Sequence, residues 1–174
     1  MIYFISDTHF YHKNIIKYCN RPFADVEQMN NELIKNWNEV VSPNDTIYHL
    51  GDFSMGNKDI SSLDIIYKLN GRKILILGNH DKWKKSIYES FGFTVLKAPI
   101  RLDEYKLVLS HYPIPDKQIP KDYINLHGHI HDKSLYNEYD KFDPNEYSLE
   151  KHINLSCDVI NFRPISLDQV LSKN

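Results

Sequence analysis

Short apolar runs along this chain repeatedly break off at a residue that can hold a cation. Ile2-Tyr3-Phe4-Ile5 leads into Asp7-Thr8-His9, and Thr46-Ile47-Tyr48-His49-Leu50 leads into Gly51-Asp52. Lys73-Ile74-Leu75-Ile76-Leu77 leads into Gly78-Asn79-His80-Asp81. Farther on, Leu107-Val108-Leu109-Ser110 meets His111, and Tyr123-Ile124-Asn125-Leu126 meets His127-Gly128-His129-Ile130-His131. Runs this short, bounded by glycine and polar residues, read as buried strands. In open sheets covered by other layers, ligands gather beyond the carboxyl ends of the strands. The five endings therefore predict one shared pocket.

Between the front strands the period changes from two to about 3.6. Lys13 to Cys19 has helical character and stops before Asn20-Arg21-Pro22. Asp25, with Gln28 three residues on, reads as an N-cap opening a longer helix whose apolar face is Val26, Met29, Leu33, Trp37 and Val40. Ser42-Pro43-Asn44-Asp45 ends it with turn chemistry. Ile60, Leu63, Ile66 and Leu69 predict another helix closed by Asn70-Gly71, and Trp83 to Phe91 a shorter one before Gly92. From Phe93 the pattern is mostly strands, at 93–96, 98–102, 105–110, 123–127 and 152–156. A strand–helix front half and a strand-rich back half suit an α/β sandwich of two sheets with helices outside. Asp132 to Lys151, polar and tyrosine-containing, reads as a long surface loop attached to His131 and overhanging the pocket.

Length and charge narrow the class. A chain of 174 residues fits a single domain, 1–174. The net charge of −2 lacks the strong basic excess of a general nucleic-acid binder, although a local patch would be compatible with it. Cys19 and Cys157 are too few for a disulfide framework or a thiolate metal site, which points to a reducing, cytoplasmic setting. No apolar stretch approaches membrane-spanning length, and strand character at Ile2 argues against a cleaved signal segment. No membrane partner is expected.

The candidate ligands are Asp7, His9, Asp52, Asn79, His111, His129 and His131. Carboxylate, amide oxygen and imidazole without thiolate suit mid-series divalent ions. Seven ligands exceed what one four-coordinate ion needs and suffice for two when a carboxylate bridges them. Gly51, Gly78 and Gly128 beside them ease the sharp turns that bring ligands together.

Taken in order, Asp7-x-His9, Gly51-Asp52, Gly78-Asn79-His80-Asp81, His111 and Gly128-His129-x-His131 resemble the motif series of the calcineurin-like metallophosphoesterases. Asn20-Arg21-Pro22-Phe23 and Tyr48-His49-Leu50-Gly51-Asp52-Phe53 resemble small stand-alone bacterial and phage members. The resemblance implies a four-layer αββα sandwich of two mixed β-sheets flanked by helices. It also implies hydrolysis of phosphate esters, phosphodiesters in the first instance, by a metal-bridging hydroxide at a dinuclear site. Two divalent ions are implied, manganese first, with iron, zinc, nickel or cobalt as alternatives. Asp7, His9 and His131 would hold one ion, Asn79, His111 and His129 the other, and Asp52 would bridge them. His80 would be catalytic at the phosphate and leaving group, with Asp81 orienting its ring. Asn79, His80 and Arg21 would contact substrate, a phosphate ester that could be a nucleotide or nucleic acid.

The remaining histidines weigh differently. His12, His49 and His152 match no ligand position and read as structural, while His127, beside the last motif, could support the site or meet substrate. The Lys82-Trp83-Lys84-Lys85 cluster reads first as a solvated helix face. Tyr112 before Pro113 reads as part of a rigid turn that could flank substrate. Two rival functions remain open: a nucleic-acid end-processing nuclease or phosphatase, and a non-catalytic binding scaffold on the same fold. Oligomeric state leaves no trace in the sequence.

Overall fold

The computed structural model describes residues 1–55, 59–136 and 142–172. Its strands are β1 (Ile2–Ile5), β2 (Thr46–His49), β3 (Arg72–Ile76), β4 (Thr94–Leu96), β5 (Ile100–Leu102), β6 (Leu107–Leu109), β7 (Ile124–His127), β8 (His152–Asn154) and β9 (Ile165–Ser166). The α-helices are α1 (Ile15–Tyr18), α2 (Val26–Val40), α3 (Lys85–Ser90) and α4 (Leu167–Leu171). One sheet has the order β4-β3-β2-β1-β9, parallel except for β9, and the other the order β5-β6-β7-β8, parallel except for β5. Two mixed sheets with helices make the α/β sandwich that the apolar pattern predicts. Short 3-10 turns, including Leu149–Lys151 packed on β7, stand on the side of the second sheet.

The longest helix forms for the reasons its sequence shows. Asp25 accepts a hydrogen bond from the Gln28 backbone N–H at 2.8 Å, and Gln28 Oε1 accepts from the N–H of Ala24 rather than Asp25. Met29, Leu33 and Trp37 are buried on the inner face, with Val26 and Val40 half-buried at its ends. Ile60–Lys68 is a 3-10 helix where an α-helix was expected. Its β-branched and serine residues are weak α-formers. Asn38 also pins its end, donating to Lys68 O at 2.7 Å and accepting from Asn70 N–H at 2.8 Å.

Strand β9 and helix α4 were not legible as elements. Their signal was Ser166 with Gln169, which form a full capping box. The two sheets are tied just past the ends of β1 and β8 by Ser6, whose N–H donates to Leu155 O and whose carbonyl accepts from Cys157 N–H, both at 2.9 Å. That tie brings the carboxyl end of β1 beside the carboxyl end of β8. Among the described residues, no helix is long and apolar enough to cross a membrane. Of the segment 132–151, residues 137–141 lie outside the described residues; Tyr136 Oη donates to Tyr147 O at 2.7 Å across that interval.

Candidate metal centre

The endings of β1, β2, β3, β6 and β7 converge, and the backbone of each loop is stitched to the next. Asp7 N–H donates to Gly51 O at 3.0 Å, His9 N–H to Asp52 O at 3.0 Å, and Gly128 N–H to His111 O at 3.0 Å. Asp7, His9, Asp52, His129 and His131 all sit at positive φ, between 49° and 70°. For residues with a Cβ this conformation costs about 1–2 kcal/mol each. Five strained residues at one place mark a site whose geometry outranks local comfort.

Each carboxylate has one oxygen engaged and the other left facing the pocket. Asp7 Oδ2 accepts from His129 N–H and Ser156 Oγ, both at 3.0 Å, while its Oδ1 is buried without a partner. Asp52 Oδ1 accepts from His80 N–H at 2.7 Å. Its Oδ2 lies 3.6 Å from His9 Nε2 and 3.6 Å from His111 Nε2. His9 is fully buried, with neither ring nitrogen hydrogen-bonded. His111 Nδ1 stands 2.9 Å from Leu50 O, which can only accept, so Nδ1 carries the proton and Nε2 the lone pair. That Nε2 is 2.9 Å from Asn79 Oδ1, which is itself 3.1 Å from His129 Nδ1.

Two groups of possible ligands emerge, with Asp7 in both. Asp7, His9 and His131 place ligand atoms within 4.8 Å of one another, and so do Asp7, Asp52 and His111. Asn79 and His129 adjoin His111 on the second side. Orphaned buried atoms of this kind are expensive unless something pairs them, and here both Asp7 Oδ1 and one nitrogen of the neutral His9 ring offer lone pairs. The residues fit divalent cations.

Charge agrees with geometry. Burial opposes ionisation of Asp7, yet the surrounding imidazoles of His111, His131 and His9 outweigh it and hold its pKa well below the usual carboxylate range. Asp52 is pushed up to about 7, first by burial and then by the charge of Asp7. Burial drives His9 well below its ordinary value. His131 runs the other way: burial lowers its pKa, but its hydrogen bond to Asp158 and the charge of Asp7 outweigh that and push it up to about 10. Cations held at Asp52 and His131 would displace protons.

Close approach explains two of the glycines. A Cβ on Gly78 would stand 2.2 Å from Asp52 Oδ1, and one on Gly128 would stand 2.0 Å from Ser6 Oγ and 2.2 Å from Asp7 Oδ2.

Other expected site residues are placed differently. His80 borders a cleft of about 210 Å³ with Asp52, Asn79, His129, His131 and Lys133, its ring 5.2 Å from that of His9. Asp81 does not take up the His80 ring: its carboxylate accepts the N–H groups of Asp52, Gly78 and Phe53 at 2.7, 2.8 and 3.0 Å, and the Tyr88 hydroxyl at 3.4 Å. It shapes the loops that carry Asp52 and Asn79. Arg21 does not reach the open cleft either, since its side chain is fully buried in a two-pronged pair with Asp158.

His127 is buried beside His152, its Nδ1 2.9 Å from Gly128 O, and so cannot meet substrate. His152 pairs with Asp116, and His49 bonds Thr8 Oγ1 at 2.9 Å; both are structural as expected. His12, also read as structural, is half-buried and does not line the cleft, with ring centroids 5.3 Å from His9 and 6.2 Å from His80. Tyr112, 46% exposed, packs against His129 with the rings tilted by 46° and their centroids 4.1 Å apart. Asp158 was missed altogether. It accepts from His131 Nδ1 at 2.8 Å. Its signal was an alternating strand pattern, Ile153-Asn154-Leu155-Ser156-Cys157, ending in a carboxylate.

An α/β sandwich that gathers carboxylate, amide and imidazole groups at five strand ends is a domain built around a candidate divalent-metal site. The chain belongs to the calcineurin-like phosphoesterase family, whose model matches residues 1–169. An uncharacterized protein of Methanocaldococcus jannaschii is 44% identical over 98% of this chain and 89% of its own length. The gene 66 protein of Mycobacterium phage L5 is 30% identical over 79% of this chain and 80% of its own. A crystal structure of a protein of unknown function from Aquifex aeolicus superposes with a TM-score of 0.71 at 30% identity, covering 100% of this chain and 99% of that one. The nuclease MPE of Pseudomonas putida shares the fold, with a TM-score of 0.52 at 20% identity over 75% of this chain and 61% of that one.

Proposed function

We propose that this chain, folded as one domain over 1–174, is a two-metal phosphoesterase acting on phosphodiesters. The observation that carries this reading is the pair of carboxylates whose inward oxygens, Asp7 Oδ1 and Asp52 Oδ2, lie 4.0 and 3.6 Å from the same His9 nitrogen, Nε2, which has no hydrogen-bond partner in a buried site. Asp7, His9 and His131 would hold one ion, Asn79, His111 and His129 the other, and Asp52 would serve both. Divalent ions held there supply Lewis-acid charge for phosphoryl oxygens and a water of lowered pKa as nucleophile. Manganese, iron, zinc, nickel and cobalt all suit this donor set.

The chain's own groups do the rest. Asp81 holds the loop that presents Asp52, and Asn79 and His80 line the open face where the ester would sit. Burial and the charge of Lys82 lower the pKa of His80. At neutral pH its imidazole is therefore neutral and donates an N–H to the phosphate or departing oxygen; proton transfer requires the arriving phosphate charge beside it.

The test is hydrolysis of bis-nitrophenyl phosphate and of the matching monoester, with each metal and after chelation. We expect metal-dependent turnover that favours the diester. A metal-loaded protein that hydrolyses neither would return the scaffold reading. A nucleic-acid substrate is favoured by one observation: exposed Lys133 borders the cleft, and Lys82 Nζ bonds the carbonyl of Asn79. It predicts oligonucleotide binding that weakens steeply with salt.

A further inference from the structure

Asp158 follows β8 and belongs to none of the five strand endings that form the ligand series, yet both of its oxygens are committed. Oδ1 accepts from Arg21 Nε at 2.8 Å, and Oδ2 accepts from Arg21 Nη2 at 3.0 Å and from His131 Nδ1 at 2.8 Å. The Arg21 fork continues inward, donating to Asp7 O at 2.7 Å and Thr8 O at 3.0 Å. Phe162 lies beneath the guanidinium, 5.6 Å from its carbon to the ring centroid. An Arg–Asp pair with 0% and 3% side-chain exposure would already balance its charge. The third donor, His131 Nδ1, goes beyond that balance.

We propose that Asp158 is a positioning residue for the first half of the centre: clamped by Arg21, it keeps His131 protonated at Nδ1 so that Nε2 offers its lone pair beside Asp7 and His9. A carboxylate behind a ligating imidazole fixes both its tautomer and its ring plane. Here the clamp does more, because Arg21 also grips the backbone of Asp7 and Thr8, inside the loop where Asp7 and His9 hold positive φ. One buried ion pair thereby sets two of the three ligands of this half-site, Asp7 through its backbone and His131 through its ring. The geometry contains a competitor. Cys19, His131 and Asp158 also bring ligand atoms within 4.8 Å of one another, so a cation could instead bind on the Nδ1 side. The 2.8 Å hydrogen bond decides for Nε2, since it occupies the Nδ1 position with a proton.

The inference rests on the two-metal reading, and its test separates the two. The unmodified protein, with ¹⁵N-labelled histidine, is loaded with ¹¹³Cd and observed by NMR. We expect His131 Nδ1 to carry a proton and cadmium to couple to Nε2. Cadmium coupled to Nδ1, or an Nδ1 without a proton, overturns the proposal. In parallel, manganese is titrated calorimetrically into the parent protein, Asp158→Asn and Arg21→Lys. In Asp158→Asn we expect one binding step weakened by about 10–100-fold with the other unchanged. Two steps identical to the parent overturn the proposal while leaving the two-metal reading intact. Equal weakening of both steps with a lowered Tm means a merely structural ion pair and also overturns it. If Asp158→Asn does not fold, the NMR result on the unmodified protein decides. A parent protein that takes up no ion overturns both readings together.

Discussion

Asp52 Oδ2 stands 3.6 Å from His111 Nε2, at the meeting of the two ligand groups, because Oδ1 is held away by the His80 N–H at 2.7 Å. That division leaves one Asp52 oxygen facing both His9 and His111, as the proposed bridging role requires. Asp52→Asn is expected to weaken both binding steps in a manganese titration, whereas His9→Ala should disturb mainly one. Full occupancy of two ions in Asp52→Asn would remove the bridging role.

His80→Ala should lower the rate on the order of 10²–10⁴ while both ions stay bound. The loss should be largest for esters with alkoxide leaving groups and smallest for nitrophenolate, which departs unaided. Equal losses across a leaving-group series would show that the ring only holds the phosphate.

His49 links the ligand loops from behind: its Nδ1 accepts from Gly51 N–H at 3.2 Å, its Nε2 meets Thr8 Oγ1 at 2.9 Å, and Thr8 Oγ1 donates to Phe53 O at 2.8 Å. Burial holds its pKa down to about 3. Because the folded value lies below the unfolded one, about 6.5, the contribution of His49 to stability is complete above pH 6.5. It is lost as pH falls from there toward 3. The stability advantage of the parent over His49→Gln, measured by urea unfolding, should therefore shrink between pH 6.5 and 4. An advantage that stays constant over that window would mean His49 is protonated in the fold.

Gly128→Ala should be among the most damaging single-methyl changes in the chain. Its new Cβ would fall on Ser6 Oγ and Asp7 Oδ2, at 2.0 and 2.2 Å, in a part of the fold stitched on every side. We expect a loss of about 1–3 kcal/mol, as for overpacking generally, together with weakened metal uptake. Parent-like unfolding and metal titration would show that the loop yields.

The sequence by itself determined β1 to β8, though not β9, and the polar residues gathered at the ends of five of them. Phe4, Ile5, Leu75, Leu109 and Leu126 are buried strand residues whose apolar runs stop at polar residues, and both signals are local. Helix α2 was legible for the same reason, with its cap, Asp25, directly before the fifteen residues that carry its apolar face. What Arg21, Asp81, His12 and Asp158 do was decided only by the tertiary structure. Asp81 sits next to His80 in the chain, yet its oxygens go to backbone N–H groups on another loop. Arg21 meets Asp158 from far away in sequence, because the Ser6–Leu155 tie draws β1 and β8 together. A buried charge takes whichever partner folding delivers, and that partner is fixed by how two sheets pack rather than by residues nearby. Strand periodicity is written along the chain; pairing across the sandwich is not.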